Sequence, residues 1–394
     1  MKRITIKLIA CSLLICFSTS LSAQTDSINV VTTAVPFLRI SPDARSGGMG
    51  DVGIATKPDA GSSFWNEAKI PFAVSKSAAE VTYTPWLKNL GLNDVYLASL
   101  AGYYKLDELQ AISMSLRYFS LGDIQFTDNL GNSLQTFRPR EFSIDAGYSR
   151  KLSDKMGIGI ALRYINSNLA SGTVNGSTYK TGTAVAADLS LFHDGTEGDA
   201  TKSGFSWGLV LSNLGSKISY TNDAAHKDYI PANMGIGIAY HKIFDETSKV
   251  TFGLDLNKLL VPTPPRVGDS AGLAKYYSQG VISSWFKSFG DAPGGFSEEL
   301  KEVQISAGAE YMYNNQFAFR AGYFYENPLK GNRKYFTVGA GLNYNMFGLN
   351  FSYLIPSGSG TNRNPLSNTV RFGIIFNLDK DTNIETSSDT DTQK

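Results

Sequence analysis

The residues of this chain that could do chemistry are few and lack the spacing that most enzymes need. Its three histidines are His193, His226 and His241, and no two of them share a predicted strand face at metal-ligand spacing. The hydrolase signatures G-x-S-x-G and H-E-x-x-H do not occur. Because His226 lies in a long predicted loop, it is the one candidate for a serine–histidine pair. We expect no catalytic and no metal-binding residues.

A glycine-rich string and two cysteines also fail as cofactor sites. Gly48-x-Gly50-x-x-Gly53 matches the dinucleotide fingerprint, but no strand is predicted before it and no βαβ unit after it. We interpret it as a tight backbone path, with no cofactor. Cys11 and Cys16 are the only cysteines. The rest of the chain therefore cannot form a disulfide, a thiolate metal site or a cysteine nucleophile.

Both cysteines lie in a predicted signal peptide, residues 1–23. A basic start is followed by an apolar run from Leu8 to Phe17, and Ala23 is the expected last residue before cleavage. The rest of the chain has no apolar run of about 18 residues, the length of a membrane helix. With 36 basic and 35 acidic residues, the chain is not expected to bind nucleic acid.

From Ser77 onward, apolar and polar residues alternate. In Glu141–Ser149, for example, Phe142, Ile144, Ala146 and Tyr148 fall on one face and polar residues on the other. A soluble β-sandwich would show the same alternation. Segments of about 9 to 13 residues, aromatics near segment ends, and long loops alternating with short turns favour a transmembrane β-barrel.

We predict an all-β fold, a 14-stranded antiparallel transmembrane barrel over residues 77–378 in the outer membrane. The predicted strands start near Ser77, Asn93, Leu109, Arg138, Lys155, Lys180, Ser203, Pro231, Thr247, Leu300, Gln316, Arg333, Phe347 and Leu366. Residues 24–76, rich in Gly, Ala, Ser and Pro, are expected to form a hatch or plug. Residues 379–394 are expected to form a disordered periplasmic tail.

Charged residues occur on the polar strand faces, which would point into the lumen. They are Arg117, Arg163, Arg320, Arg371, Glu141, Asp145, Asp188, Asp255 and Glu310. Mixed signs allow these side chains to pair inside the barrel, and we favour a filled interior over a polar conduit.

The longest predicted loop, Leu259–Glu299, carries aromatic residues at helical spacing after a proline-rich start. We predict one amphipathic helix there, either as a lid over the barrel mouth or as a docking surface for another protein. The candidate contact residues are Tyr276, Tyr277, Trp285, Phe286 and Phe289 in this loop, with Phe126 and Tyr229 in two other loops.

Two blocks of sequence resemble the PorV/PorQ group of type IX secretion proteins of the Bacteroidetes. The first runs from Phe37 to Thr56, followed by Ser63-Phe64-Trp65-Asn66-Glu67-Ala68-Lys69, and the second contains Leu211-Ser212-Asn213-Leu214-Gly215. The hatch residues in the first block are Gly47, Gly48, Gly50, Trp65 and Asn66. More distantly, the chain resembles the FadL family, which has fourteen strands and an Asn-Pro-Ala hatch motif. Here Glu67 replaces that proline.

The resemblance implies a role without catalysis and without cofactors. Members of the PorV/PorQ group bind the C-terminal domain of secreted cargo at the cell surface. They carry it from the translocon to an attachment complex whose sortase-like protease links cargo to lipopolysaccharide. The expected partners are therefore cargo, translocon, protease, and outer-membrane lipid with lipopolysaccharide. Two alternatives remain open, a FadL-like transporter of fatty acids or other hydrophobic small molecules and a deacylase using His226.

Overall fold

The computed structural model describes residues 29–88, 91–92, 94–127, 130–170, 172–174, 177–197, 201–223, 227–265, 268–357 and 368–378. The predicted signal peptide, the predicted tail and His226 lie outside these residues.

Fourteen antiparallel strands close into a barrel in which each strand pairs with its neighbours in sequence and the last pairs with the first. They are β1 Ser77–Pro85, β2 Val95–Lys105, β3 Gln110–Leu121, β4 Arg140–Lys151, β5 Met156–Asn168, β6 Gly182–His193, β7 Gly204–Gly215, β8 Asn233–Ile243, β9 Ser248–Leu259, β10 Gln304–Tyr313, β11 Phe317–Tyr325, β12 Lys334–Tyr344, β13 Phe347–Pro356 and β14 Val370–Leu378. The predicted fold class and strand number are confirmed, and each predicted start lies within four residues of the observed one.

The apolar face of the strands points outward. Met114, Leu162 and Val185 are each more than 60% exposed, whereas the inward-facing Arg117 and Asp145 between them are buried. A soluble sandwich would bury its apolar face, so the closed barrel with an apolar exterior excludes that alternative. Only a lipid environment stabilises such a surface.

The two ends of the barrel differ. Short turns follow the even-numbered strands at one end of the barrel, which we call the short-turn end. The first residue of β1 and the last residue of β14 also lie there. The opposite end, which we call the long-loop end, carries two small hairpins that the sequence did not predict, Ile124–Thr127 with Ser133–Phe137 and Gly172–Val174 with Ser177–Tyr179. These hairpins extend the loops after β3 and β5 away from the barrel.

The loop after β9 folds into three helices, α3 Ser270–Ser278, α4 Val281–Lys287 and α5 Phe296–Lys301. The single helix predicted here is wrong, because the chain turns extended at Gln279 and Gly280 and so separates the two aromatic clusters. In the part of the chain that the structure describes, no helix is long and apolar enough to cross a membrane.

Residues 29–76 run through the barrel from one end to the other. They form a 3₁₀ helix at Pro36–Arg39, α1 at Ala44–Gly48, α2 at Ser62–Trp65 and a second 3₁₀ helix at Glu67–Phe72. At the long-loop end, the Ala34 N–H donates to the Tyr229 carbonyl at 2.9 Å. Near the short turns, the Phe72 ring lies 5.5 Å from the ring of Phe192 at the end of β6. The segment therefore enters at the long-loop end and leaves at the opposite end to begin β1.

Outer-membrane barrels carry their long loops outside and their short turns in the periplasm, so this path predicts which face of the membrane each end of the segment meets. Thr32 is exposed at the long-loop end, and Val74 is 78% exposed at the short-turn end. Cys11 and Cys16 lie in the predicted signal, so each single-cysteine variant carries one reactive thiol after cleavage. A membrane-impermeant maleimide should label Thr32→Cys on intact cells and Val74→Cys only after permeabilisation. Labelling of Val74→Cys on intact cells would contradict the path.

Candidate functional site

One cluster of charges joins the neighbouring strands β3, β4, β5 and β6 on the lumen side of the wall. The Arg117 guanidinium lies 3.4 Å from Asp145 Oδ2, and Arg163 pairs with both Asp145 and Asp188. All four side chains are at least 93% buried. Because neighbouring strands carry opposite charges at these positions, each arginine pairs with a carboxylate on an adjacent strand. The predicted pairing inside the lumen is confirmed here.

A second cluster ties α1 to the opposite wall. Arg45 Nη2 donates to Glu310 Oε1 at 2.9 Å, and Arg45 Nη1 donates to Asp59 Oδ2 at 2.8 Å. Arg320 donates to the other oxygen of Glu310 at 2.6 Å. Glu310 thus receives hydrogen bonds from a strand arginine and from an arginine of the N-terminal segment, which makes it a link between the two.

Two further carboxylates anchor the turn that follows α1. Asp51 belongs to the turn itself, and Asp255 lies on β9. Arg371 on β14 donates to Asp51 Oδ1 at 3.0 Å. Asp255 on β9 accepts hydrogen bonds from the Gly53 and Ile54 backbone N–H groups at 2.7 and 2.9 Å. The N-terminal segment is therefore fixed by charge-assisted hydrogen bonds to both sides of the barrel.

Removing one shared carboxylate should destabilise the whole barrel. Asp145→Ala leaves Arg117 without an ion pair and takes one of the two from Arg163, and breaking such a buried pair costs about 3–5 kcal/mol. We expect a lower unfolding temperature in detergent, read from the heat-dependent mobility shift in gels. Glu246→Ala, in the exposed turn after β8, is the matched control and should leave the transition in place. Equal transitions in the two variants would contradict a structural role for the cluster.

The glycines of the predicted hatch lie where the segment touches the wall. Gly50 has φ +73°, and a Cβ there would lie 2.6 Å from the Tyr323 nitrogen on β11, so only glycine fits. A side chain on Gly47 would collide with Arg371, and one on Gly48 would press on Gly339 of β12. These contacts agree with a tight backbone path and explain the glycine string without a nucleotide.

Trp65 and Asn66 make the other specific contacts of this segment. The Trp65 indole N–H donates to Asp43 Oδ2, the residue that also caps α1. Asn66 is fully buried, and its amide nitrogen donates to the Ile54 carbonyl at 3.1 Å and to the Leu191 carbonyl on β6 at 3.0 Å. Both predicted residues therefore hold the segment together and against the wall.

The second resembling block forms a β-bulge at the long-loop end of β7. The register shifts between β6 and β7, and Asn213 adopts φ 57°. Its backbone N–H donates to Asp188 at 2.7 Å, and its side-chain amide donates to the Pro231 carbonyl at 3.1 Å. The block therefore positions the charge cluster and the start of β8, a role that its sequence pattern did not reveal.

The candidate contact residues of the long-loop end separate into buried and exposed groups. Tyr229 is 3% exposed, which argues against direct contact with a partner. Its hydroxyl, whose pKa burial raises to about 12, donates to the Gln279 carbonyl at 2.8 Å. Tyr276 packs its ring edge against Tyr229, and Tyr277 packs against Tyr276. These tyrosines fasten α3 to the loop after β7.

Phe126 lies in the hairpin after β3, far in sequence from α3, α4 and α5. Its ring is half-buried and lies 6.5 Å from the ring of Phe137 in the opposite strand of the hairpin. This pair holds the hairpin together, so Phe126 offers only one edge to a partner.

The apolar face of α4 points away from the protein. Phe286 is 75% and Ile282 65% exposed, whereas Ser284 and Ser288 are fully buried. The two buried hydroxyls donate to carbonyls of their own helix, so they need no partner from the loop beneath. A surface helix normally buries its apolar face and exposes its polar face. An apolar face that is exposed instead is a feature of interaction sites.

Five side chains of this loop form what we call the exposed apolar set. They are Ile282, Phe286, Phe289, Phe296 and Leu300, each at least 46% exposed. Trp285 is half-buried and lies beside the set. Phe296 and Leu300 were missed by sequence reasoning, although their spacing of four residues places both on one face of α5.

Buried ion pairs hold α5 in place. Lys258 at the end of β9 donates to Glu299 Oε2 at 2.8 Å and also contacts Glu302. Lys330, in the loop after β11, donates to Glu298 at 2.6 Å and to Glu302 at 3.0 Å. Two lysines, one at the end of β9 and one in the loop after β11, thus clamp one short helix, and the exposed apolar set rests on a fixed base.

Loosening this clamp should release the loop without unfolding the barrel. Lys258→Met keeps the side-chain length but leaves Glu299 without its ion pair. We expect faster chymotrypsin cleavage within residues 268–303, where aromatic residues supply the cutting sites, and an unchanged unfolding temperature. Lys287→Met, on the exposed side of α4, is the control. Unchanged cleavage in Lys258→Met would show that the clamp does not order the loop.

Residues 22–266, more than half of the chain, match the family model described as the type IX secretion system protein PorV. The chain belongs to the PorV family. Family membership makes it a component of the type IX secretion system, and together with the fourteen-stranded barrel it supports a location in the outer membrane. No curated protein sequence gives a significant match.

Solved structures that resemble this chain include a hydrocarbon channel and a FadL homologue. A mutant of TodX, described as a monoaromatic hydrocarbon channel, has 13% sequence identity and a TM-score of 0.49, with 85% of this chain and 98% of that chain covered. A FadL homologue from Pseudomonas aeruginosa has 9% identity and a TM-score of 0.44, with 89% and 100% covered. Identities this low say nothing about what this PorV-family chain binds.

Proposed function

We propose that this chain binds the C-terminal domain of secreted cargo at the cell surface and carries it from the translocon to the attachment complex with the sortase-like protease. The observation that carries the proposal is the exposed apolar set on an ordered loop. In a monomer this set would be poorly solvated, and a protein partner would bury it. Membership of the PorV family supplies the secretion context.

In this proposal the long-loop end faces the exterior. Outer-membrane barrels carry their longer loops outside and their short turns in the periplasm. The chain would then present α3, α4, α5 and the hairpin after β3 to cargo that has just crossed the membrane. The apolar outer wall would contact lipid and lipopolysaccharide, and the short turns would meet the periplasm.

We also propose that residues 24–76 act as a plug that stays in place during binding. Arg45, Asp51 and Asn66 each bond to a different part of the wall, so expelling the segment would leave buried charges and amides unpaired at once. The proposed role needs no covalent chemistry, and we assign none.

The alternative of a FadL-like transporter would need an apolar path beside the plug. The lumen cavity next to Trp65 has a volume of only about 60 Å³, and Arg39, Arg117, Arg163 and several amides line it together with apolar side chains such as Phe64 and Val210. A larger groove of about 410 Å³ with apolar lining lies on the outward face of β5 to β7, at Ile160, Leu189 and Leu209. This arrangement favours docking over the transport of hydrophobic molecules.

The proposal predicts that the exposed apolar set controls cargo binding. Phe286→Ser with Phe289→Ser should weaken binding of a purified cargo C-terminal domain by about tenfold or more, because burying each ring contributes about 1.5–3 kcal/mol. Binding would be measured with the full chain in detergent, and surface display of cargo would be measured in cells. The control is Leu152→Ser with Phe244→Ser, two side chains of the short turns that are 60% and 63% exposed.

The two double variants should differ in binding and agree in folding. Cargo binding that is equal in both would contradict the assignment of this surface. Failure of the unmodified chain to retain any secreted C-terminal domain would contradict the proposed function itself.

A further inference from the structure

Arg39 differs from the other arginines that line the lumen. Arg45, Arg117, Arg163, Arg320, Arg333 and Arg371 each form an ion pair. Among the described residues, Arg39 forms none. It ends the first 3₁₀ helix of the N-terminal segment, and its Nη2 donates to Gln304 Oε1 at 3.3 Å. Its Nη1 also donates to the side-chain oxygen of Asn233 at 3.1 Å.

Arg39 lies between two cavities at the long-loop end. The inner cavity of about 60 Å³ reaches down to Trp65. The outer cavity has a volume of about 290 Å³, and Val30–Thr33, Leu259, Lys330 and Arg333 are among its lining residues. Since both cavities are lined by Arg39, a ligand in the outer one would reach its guanidinium.

The other charges around the outer cavity already have partners. Arg333 makes two hydrogen bonds to Glu326, at 2.8 and 2.9 Å. Lys330 pairs with Glu302. Arg39 therefore has no ion-pair partner among the described residues, and the carboxylates of Glu326 and Asp51 act on its charge only from a distance. Burial, and then the charge of Arg333, lower the pKa of Arg39 to about 10, which reflects the free-energy cost of this charge.

A guanidinium with one free side, flanked by amide groups, is suited to a carboxylate or a phosphate. Here a singly charged group fits better, because the carboxylates of Glu302 and Glu326 also line the cavity and would repel a second negative charge. We propose that Arg39, with Gln304, binds the free α-carboxylate at the end of the cargo's C-terminal domain. This inference rests on the proposed function, since it identifies which part of the cargo enters the barrel mouth.

An α-carboxylate has an advantage as a recognition element. Every domain at the end of a chain carries one, whatever its side chains are. Contacts with the exposed apolar set could then vary between cargo proteins while the terminal carboxylate stays the same. Val30–Thr33, which belong to no helix or strand, line the outer cavity and offer a surface along which the last residues of a peptide can lie.

The test compares two forms of one cargo domain, made by semisynthesis, with a free C-terminal carboxylate or a C-terminal amide. With the full chain in detergent, we expect the amide form to bind at least tenfold more weakly. Arg39→Gln should bind both forms with the weaker affinity, and Arg39→Lys should recover part of the preference. Arg140→Gln, at an exposed position at the start of β4, is the control and should keep the preference. Heat-dependent gel mobility shows whether each variant folds.

Equal binding of the two forms to the unmodified chain would overturn this inference and leave the proposed function intact. Absence of binding by both forms would count against the proposed function instead. Inorganic phosphate alone supplies a third arm. If it stabilises the unmodified chain but not Arg39→Gln, while amidation has no effect, then Arg39 binds free anions and the peptide assignment is wrong.

Discussion

The pairing of charges inside the barrel is the interaction on which the rest of the structure depends. The strands must place apolar side chains outward, so their polar residues converge on a confined lumen where an unpaired charge is costly. Glu310 illustrates the solution, because it accepts hydrogen bonds from Arg320 of the neighbouring strand and from Arg45 of the N-terminal segment. The strands alone would not supply all the partners that these buried charges need. The N-terminal segment is therefore a structural component of the lumen.

Glu67 and Asn66 extend this dependence to the end of the N-terminal segment. The carboxyl group of Glu67 accepts a hydrogen bond from the Ser113 hydroxyl on β3 at 2.8 Å. Asn66 beside it reaches β6. Together with the bond from Arg45 to Glu310 on β10, these contacts link the segment to opposite sides of the barrel, which favours a closed lumen.

Much of this architecture could be predicted from the sequence because it depends on local periodicity. Alternation fixed the inward face, so the lumen charges and the strand starts could be read directly. The clamp at Lys258 could not be read in this way. It joins a strand end to a helix more than forty residues later, and no local pattern encodes such a contact. The break at Gln279 was missed because the spacing of aromatic residues continues across it, and Tyr229 became buried through packing against α3 rather than through its own sequence neighbourhood.

The closed lumen and the ordered loop belong to one arrangement. A conducting barrel needs a mobile segment inside and open loops above it, whereas a barrel that docks proteins needs a fixed floor beneath its binding surface. Here the segment that fills the lumen also reaches the mouth, where the Ala34 N–H bonds to the Tyr229 carbonyl and the Tyr229 hydroxyl bonds to the end of α3. A single chain of contacts thus runs from the lumen charges to the surface loop. Because the N-terminal segment supports the loop, moving this segment would disturb the proposed docking face, so transport through the barrel would compete with stable docking on it.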